Sequence, residues 1–163
     1  MSIVLGNSAA NTIFTSAEDD SVFGFDGNDR IDSGAGNDIV YGGNGNDIIR
    51  ANDGNDVLIG GAGNDILDGG AGDDNLFGGA GADILEGGTG ADTFVFDVAD
   101  AGLVDLVTDF NADEGDTIFI QGAGSHPSVE YDAHTGLVFV NGQALIQLDP
   151  GLHINEGEDF FLA

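Results

Sequence analysis

An apolar residue recurs every nine positions through the first part of the chain. Ten consecutive nine-residue units run from residue 6 to residue 95 without an insertion, and the eighth residue of each unit is apolar. These residues are Ile13, Val22, Ile31, Val40, Ile49, Leu58, Leu67, Leu76, Leu85 and Phe94. One apolar position at a fixed period indicates one inward-facing row, so we expect position 8 to form the core in every unit.

The other positions of the unit predict a turn followed by a short strand. Eight of the ten units have Gly at position 4 and Asp at position 6, and five begin with Gly-Gly. Glycine adopts backbone angles, including positive φ, that other residues resist. We therefore expect positions 1 to 6 to form a tight turn and positions 7 to 9 to form a strand of three residues.

Two such units close one coil of a flattened right-handed solenoid. Consecutive strands then lie in opposite sheets, and units two apart in the sequence stack directly on each other. The sequence thus predicts an all-β fold, a parallel β-roll (a β-solenoid) over residues 1–96. Its core is thin, because it is only one position-8 side chain thick.

The nine-residue period stops after Val95, and the sequence there predicts a C-terminal β cap over residues 97–163. Residues 97–113 read as a loop with one or two strands, and residues 116–121 alternate like a strand. Residues 129–148 read as a meander with a turn at Asn141-Gly142, because Asn-Gly between two alternating apolar runs is a strong hairpin signal.

The acidic composition of the chain restricts the kinds of molecule that it can bind. The formal net charge is -28, from 30 Asp and Glu against two basic residues. Nucleic acid and anionic membranes bind Lys and Arg, of which this chain has only two, so both are poor partners. Repulsion on this scale opposes a compact state unless a cation belongs to the fold, and calcium is the hard cation that carboxylate and carbonyl oxygens prefer.

Other features of the sequence exclude further possibilities. The chain has no cysteine, which rules out disulfides and thiolate metal sites. We expect no membrane span, since no run of 18 apolar residues occurs. The first residues have no basic segment and only three consecutive apolar residues, so we expect no cleavable signal peptide.

Stacking of the units brings the position-6 aspartates together. The aspartate of one unit is expected about 4.8 Å from the aspartate 18 residues later, which is one strand spacing. The predicted pairs are Asp29 with Asp47, Asp38 with Asp56, Asp47 with Asp65, Asp56 with Asp74, Asp65 with Asp83, and Asp74 with Asp92. Calcium between paired carboxylates and turn carbonyls would complete the six or more oxygens that the ion takes.

At these residues the chain resembles the RTX family, whose nonapeptide GGxGxDxUx is a calcium-binding repeat. The resemblance is strong over residues 24–95 and loose over residues 6–23. It implies that the carbonyls of positions 1 and 3 face one ion, that those of positions 2 and 4 face the next, and that the aspartate bridges. Two departures are Ala51-Asn52 in place of Gly-Gly and Asn11 in place of Asp.

Carried over residue by residue, the resemblance implies about six or more calcium ions. The expected carboxylate ligands are Asp29, Asp38, Asp47, Asp56, Asp65, Asp74, Asp83 and Asp92, with Asp26, Asp53 and Asp109 as additional ones. The expected carbonyl ligands are Gly42, Gly43, Asn44, Gly45, Gly60, Gly61, Ala62, Gly63, Gly69, Gly70, Ala71, Gly72, Gly78, Gly79, Ala80, Gly81, Gly87, Gly88, Thr89 and Gly90. The alternative is a metal-free acidic solenoid whose aspartates only cap turns. Turn capping alone does not explain glycines placed to expose carbonyls.

The residues that follow the repeats resemble the cap of serralysin-type and related RTX proteins. The segments that carry this likeness are residues 90–96, 105–110 and 115–120. The end of the chain, Asp159 followed by Phe160, Phe161, Leu162 and Ala163, is similar to the uncleaved C-terminal signal read by type I secretion systems. The same residues also suit a final strand packed on the cap.

The outward positions of the two predicted sheets differ. In one sheet, position 9 is mostly charged. In the other it is apolar throughout, as Phe23, Tyr41, Ile59, Phe77 and Val95. Such a stripe suggests that the meander folds back over it, or that two rolls pair as a homodimer through Tyr41, Ile59 and Phe77. The alternative is a set of scattered surface apolar residues on a rigid scaffold.

No catalytic motif is present, and we predict that this chain is not an enzyme. There is no HExxH and no GxSxG, and the histidines His126, His134 and His153 lie far apart. The first functional hypothesis is a secreted calcium-binding module that folds outside the cell after type I secretion, with calcium and the secretion machinery as its partners. The second is a structural or adhesive protein of the cell surface or matrix that binds polysaccharide or ice.

Overall fold

The computed structural model describes residues 1–100, 103–124, 127–152, 154 and 159–162. Within them, two β-sheets of eight and nine strands contain nearly all the regular structure. The eight-stranded sheet, here the odd sheet, has the strand order β1-β3-β5-β7-β9-β11-β13-β17. Its strands are β1 Ile3–Leu5, β3 Ser21–Asp26, β5 Ile39–Asn44, β7 Val57–Ala62, β9 Asn75–Ala80, β11 Thr93–Asp97, β13 Thr117–Gln121 and β17 Phe160–Leu162.

The nine-stranded sheet, here the even sheet, has the order β14-β15-β16-β12-β10-β8-β6-β4-β2. Its strands are β2 Thr12–Phe14, β4 Arg30–Asp32, β6 Ile48–Asp53, β8 Ile66–Ala71, β10 Ile84–Thr89, β12 Asp105–Val107, β14 Val129–Asp132, β15 Leu137–Val140 and β16 Gln143–Gln147. A 3-10 helix, Val98–Asp100, follows β11. No helix among the described residues has the length and apolar character needed to cross a membrane.

The predicted parallel β-roll is confirmed. Consecutive strands of the repeat alternate between the sheets, and every neighbouring pair within the repeat is parallel. Residues that pair in neighbouring strands are 18 apart in the sequence, since Val40 pairs with Leu58 and Leu58 pairs with Leu76. One strand lies before the units recognised in the sequence, because β1 pairs with β3 at Val4 and Val22.

The strands of the repeat are longer than predicted, and the expectation of a six-residue turn was wrong. From β5 to β10 each strand has six residues, covering positions 7 to 9 and then positions 1 to 3 of the next unit. Gly61 pairs with Gly79 and Ala62 with Ala80, and the N–H of Gly63 donates to the carbonyl of Ala80 (2.8 Å). Sheet hydrogen bonds to the unit two along therefore hold the first three positions extended, and only positions 4 to 6 turn.

Position 8 forms the core, as the sequence predicts. Val22, Val40, Leu58 and Phe94 have no exposed surface, and the other position-8 residues are also buried. Side chains alternate along a strand, so positions 6, 8 and 1 all face inward. The same core continues beyond the repeats through Val107 and Ile118.

The two sheets continue without a break from the repeats into the C-terminal part. β12 pairs with β10, and β13 pairs with β11 in full register from Thr93 and Thr117 to Asp97 and Gln121. The predicted meander is confirmed as β14, β15 and β16, with antiparallel pairing around Asn141-Gly142. β17 forms a final parallel strand on β13.

The expectation that the meander covers the apolar stripe was wrong. β16 pairs edge to edge with β12, so β14 to β16 extend the even sheet, whereas the stripe lies on the odd sheet. Meander residues Val138, Leu145 and Ile146 are buried in the continuous core instead. Tyr41 in the stripe remains 38% exposed.

Candidate metal centre

The position-6 aspartates are buried inside the roll. Each immediately precedes a strand and faces the same way as the apolar residue two places later, because side chains alternate in direction. At most 2% of the surface of each repeat aspartate is exposed, for Asp20, Asp29, Asp38, Asp47, Asp56, Asp65, Asp74, Asp83 and Asp92. Buried carboxylates need partners, so the contacts of each oxygen decide what this row of residues can do.

The first oxygen of each carboxylate links the units into two hydrogen-bonded ladders. The backbone N–H of Asp47 donates to Oδ1 of Asp65 (2.8 Å), and the N–H of Asp56 donates to Oδ1 of Asp74 (2.8 Å). The same bond joins Asp38 to Asp56 (2.6 Å) and Asp74 to Asp92 (2.9 Å). Each carboxylate therefore points back toward the unit 18 residues earlier, as the stacking predicts.

The second oxygen is the unusual feature of the site. Among the residues that the structure describes, seven of these buried aspartates have an Oδ2 atom with no hydrogen-bond partner. They are Asp29, Asp38, Asp47, Asp56, Asp65, Asp74 and Asp92. A buried charged oxygen without a partner costs several kcal/mol, as a rough estimate, unless a cation or a proton neutralises it. The ladder thus has the orphaned oxygens that a hard cation would satisfy.

Burial raises the pKa of the central carboxyl groups. Desolvation raises the pKa of Asp65 and of Asp74 to about 7, and the neighbouring carboxylates of each ladder add to that rise. The same causes raise the pKa of Asp56 and of Asp92 to about 6. In each group a backbone N–H opposes the shift but does not cancel it. The folded chain therefore holds like charges in an environment that disfavours them.

Backbone carbonyls from two stacked units surround each carboxylate. A β-carbon on Gly42 would meet the carbonyl oxygen of Gly60, and the carbonyl of Ala62 accepts from the N–H of Gly45 (2.7 Å). A β-carbon on Gly61 or on Gly63 would instead meet the carbonyl of the glycine 18 residues before it. Carbonyls of positions 1 and 3 thus face the preceding unit, and those of positions 2 and 4 face the following one.

The glycines at positions 1 and 2 serve different purposes. Gly61, at position 2, has φ of +116°, which an L side chain resists. Gly60, at position 1, has no positive φ, but a β-carbon there would collide with Oδ2 of Asp65. The first glycine makes room for the carboxylate, and the second allows the backbone to turn.

The ends of the ladders are closed in a different way. Asp20 receives the N–H of Ser2 on Oδ1 (2.7 Å) and the hydroxyl of Ser16 on Oδ2 (3.2 Å). These bonds outweigh the burial, so the pKa of Asp20 is lowered. In Asp116, Oδ1 accepts a hydrogen bond from the backbone N–H of Asp92 (2.9 Å), and Oδ2 accepts one from the N–H of Asn111 (2.8 Å). Both oxygens of these terminal aspartates already have protein partners.

Sequence reasoning missed three members of the ladders, namely Asp20, Asp105 and Asp116. Asp105 accepts the N–H of Asp83 (2.9 Å), and so it follows Asp83 although 22 residues separate the two. The signal was present, since Val107 and Ile118 are apolar residues two places after these aspartates. Insertions in the turns moved both aspartates out of the nine-residue register and hid them.

Three predicted carboxylate ligands lie elsewhere. Asp26 and Asp53 are exposed at position 3, and the amide of Asn44 donates to Asp26 (2.7 Å). Asp109 accepts the N–H groups of Gly87 (3.0 Å) and Gly88 (2.7 Å). The structure therefore does not bring these three into the buried rows. His134 is exposed, and His126 and His153 lie outside the described residues, as does Ala163.

A second, outer ladder runs through position 5, which the sequence presents as variable. The side chain of Asn46 accepts the N–H of Asn64 (2.8 Å), and that of Asp73 accepts the N–H of Ala91 (3.0 Å). Its direction is opposite to that of the buried ladders. These exposed side chains bracket the turns from outside, as Asn and Asp often do.

The buried aspartates lie one after another along each ladder and do not form a cluster of carboxylates. In the described part of the chain, no three His, Cys, Asp or Glu side chains gather into one metal-holding group. A cation between two stacked turns would therefore take most of its oxygens from the backbone, as calcium does readily.

A family model of the RTX calcium-binding nonapeptide repeat matches residues 5–40, 41–76 and 59–94. These matches together cover more than half of the chain. The chain belongs to the RTX calcium-binding nonapeptide repeat family. RTX nonapeptide repeats bind calcium, and the matched residues include the buried aspartates from Asp20 to Asp92.

Solved structures similar to the chain include a lipase and an epimerase subunit. The extracellular lipase LipA from Serratia marcescens is similar at a TM-score of 0.43 and 18% identity, over 99% of this chain and 40% of the lipase. The AlgE6R3 subunit of the Azotobacter vinelandii mannuronan C5-epimerase is similar at a TM-score of 0.37 and 17% identity, over 95% of this chain and 80% of that subunit. The RTX chain thus spans well under half the length of the lipase. A search of curated proteins found no match.

Proposed function

We propose that this RTX chain is a calcium-binding module that folds on binding Ca²⁺ outside the cell after type I secretion. The observation that supports it most is the row of buried aspartates whose Oδ2 atoms have no protein partner, in a chain of net charge -28. Neither feature favours a compact state in the absence of a cation.

One gap between stacked turns illustrates the proposed site. The carbonyls of Gly43 and Gly45 face it from one unit, and the carbonyls of Gly60 and Ala62 with the carboxylate of Asp65 face it from the next. Bound calcium supplies the positive charge that neutralises the carboxylate. Glycine at position 1 leaves the space, and the ladder hydrogen bond to Asp47 fixes the carboxylate's orientation.

Calcium binding and folding are coupled in this proposal. The turns that present the carbonyls exist only when units two apart are stacked, so the unfolded chain holds no such site. An ion that binds the folded state alone stabilises it by mass action. The core is only one side chain thick, so it buries little apolar surface to oppose the charge repulsion.

Export through a type I system is the second part of the proposal. Its support is the similarity of the chain's last residues to an uncleaved C-terminal signal, together with membership of the RTX family. Low cytosolic calcium would keep the charged chain open until it leaves the cell. We further propose that the module itself has no catalytic role, since its repeated carboxylates stand in equivalent ligand-like settings.

Far-UV circular dichroism during a calcium titration tests the folding proposal. We expect a largely unfolded chain in chelator and a cooperative gain of β-structure as calcium rises into the millimolar range. Magnesium at the same concentrations is the control, and it should be far less effective, because it demands a smaller octahedral site and dehydrates reluctantly. A chain that is equally folded in chelator would refute the coupling.

Export is tested separately. Cells that carry a type I secretion system should release the full chain into the medium and retain a variant that lacks residues 159–163. Equal release of the two forms would argue against a signal at the C-terminus.

A further inference from the structure

The outer face of the odd sheet carries a single charged residue, Asp97 at the end of β11, among the outward positions of β3 to β13. From β3 to β13 its position-9 row consists of Phe23, Tyr41, Ile59, Phe77, Val95 and Phe119, which pair in register across the sheet. The outward residues two places before them are also uncharged, as Ser, Ile, Val, Asn and Thr. We call the outward residues of β3 to β13, apart from Asp97 at one edge, the uncharged face.

The even sheet is different at the equivalent row. Its position-9 residues include Asp32, Arg50, Asp68 and Glu86, and Arg50 lies 3.6 Å from Asp68. The chain has 30 acidic residues, yet only Asp97 lies on the outer face of the odd sheet from β3 to β13. Such segregation requires an explanation other than solubility, because a solvated surface with this composition would carry charge on both sides.

The uncharged face is unevenly exposed, since Val95 is only 8% exposed, whereas the end near Tyr41 is open to solvent and strained. Tyr41 is 38% exposed and stacks on Phe23 with a ring separation of 4.9 Å and an interplanar angle of 3°. Phe25 stands at position 2, where glycine is usual, with φ of +79°, and its ring stacks on Phe23 at 6.4 Å. An aromatic residue at positive φ has a strained backbone, because an L side chain rarely adopts this conformation.

We propose that the uncharged face is the surface through which two copies of this chain associate, face to face about a twofold axis. A copy with the same large negative charge meets least repulsion where neither surface carries carboxylates. Twofold pairing sets the same apolar row against itself in the opposite direction, which a continuous row running the length of the sheet allows. Apolar and aromatic rows of this kind form the centre of protein interfaces.

The area of the face sets the strength of the pairing. The six strands from β3 to β13, about 4.8 Å apart, span about 24 Å, and five residues of strand span about 16 Å. The face is thus about 380 Å² per copy, or about 770 Å² for both, which is below the usual size of stable specific interfaces and fits a transient one. The dimer is therefore weak, with a dissociation constant in the micromolar range or above, and it depends on protein concentration.

Sedimentation equilibrium in millimolar calcium and about 0.3 M salt tests the inference, with salt to screen the long-range repulsion. The wild-type mass should rise from that of a 16.5 kDa monomer toward twice that value as concentration increases from about 10 μM to 1 mM. Ile59→Glu, at the centre of the face, should remain a monomer throughout. Ile66→Glu is the matched control, since Ile66 is an exposed apolar residue on the even sheet, and it should associate like the wild type.

Circular dichroism on the same samples separates association from folding. If Ile59→Glu does not fold, Tyr41→Glu replaces it, because Tyr41 lies on the same row and is more exposed. A folded wild-type chain that stays monomeric at 1 mM overturns the inference, and so does equal loss of association in the variants of Ile59 and Ile66. A chain that does not respond to calcium would instead overturn the proposed function.

Discussion

At the scale of the residue, adjacent aspartates of one unit have separate tasks. Asp73 lies on the surface, where its side chain accepts the N–H of Ala91, whereas Asp74 is buried with one oxygen unsatisfied. The two differ because side chains alternate in direction as the strand begins. Only the inward one can serve an ion between turns.

The pair gives a controlled test of the site. Asp74→Asn removes the charge but keeps the shape and the Oδ1 acceptor, so the calcium concentration at the folding midpoint should rise about tenfold. Asp73→Asn makes the same change of net charge on the outer ladder and should move the midpoint little. Calcium titration followed by circular dichroism measures both, and equal shifts would mean that overall charge, not the buried site, controls binding.

A second pair of residues separates crowding in the turn from backbone strain. Gly61→Ala places a β-carbon at φ of +116° and against the carbonyl of Gly43, so it should destabilise the calcium-loaded roll by about 1–3 kcal/mol or more. Gly142→Ala has φ of +80° but open space around the new carbon, and should cost about 1 kcal/mol. Thermal melts in saturating calcium compare the two. A smaller loss for Gly61→Ala would contradict the close stacking of carbonyls.

At the scale of the element, the repeat determined most of the fold. The alternation of sheets, the 18-residue stacking and the inward row of position 8 all follow from a period that a single sequence displays. The length of the strands does not follow, because the extension of positions 1 to 3 depends on hydrogen bonds to another unit, as between Ala62 and Gly45. Asp105 and Asp116 could not be predicted from the period for a related reason. Insertions in the turns before them break the nine-residue period in the sequence but leave the stacking of the strands intact.

The hydrogen-bond partners of the ladder aspartates allow the number of bound calcium ions to be predicted. Asp20 and Asp116 have protein partners on both oxygens, so neither should add an ion, whereas the seven aspartates with an unpartnered Oδ2 each should. Isothermal titration calorimetry should therefore give at least seven calcium ions per chain. A stoichiometry of three or four would show that many of the buried oxygens are neutralised by protons instead.

The final strand makes its own prediction. Phe160 is 5% exposed, and its neighbour Phe161 is 47% exposed. If β17 belongs to the fold, Phe160→Ala should lower the free energy of unfolding in calcium by about 3–5 kcal/mol, whereas Phe161→Ala should cost no more than about 1 kcal/mol. Denaturant unfolding measures both. Two equally small effects would show that the tail contributes nothing to stability.

At the scale of the whole molecule, pH and calcium act on the same carboxyl groups. Their pKa values in the folded, calcium-free chain are raised to about 6 or 7 for Asp56, Asp65, Asp74 and Asp92. The unfolded groups titrate near 3.8, so the folded state binds more protons between these limits. Without calcium, stability is therefore greatest at low pH, falls as pH rises above about 4, and reaches its minimum above about pH 7.

Calcium reverses this dependence, because it needs the ionised carboxylates. Lowering the pH from 7.5 to 5.5 should raise the calcium concentration at the folding midpoint, while compact structure in chelator should increase slightly. Circular dichroism at both pH values, with and without chelator, measures the two trends. A calcium midpoint that is independent of pH would contradict a site built on these buried groups.

We propose that calcium lies inside the roll, between turns stacked 18 residues apart. A crystal structure grown in calcium, with the anomalous signal used to locate the ions, tests it most directly. We predict one ion in the gap between the turns of Gly43 and Gly60, about 2.3–2.6 Å from the carboxylate of Asp65 and from the carbonyls of both units. Ions found only along the outer side chains of position 5, or an inner row that remains without metal, would contradict it.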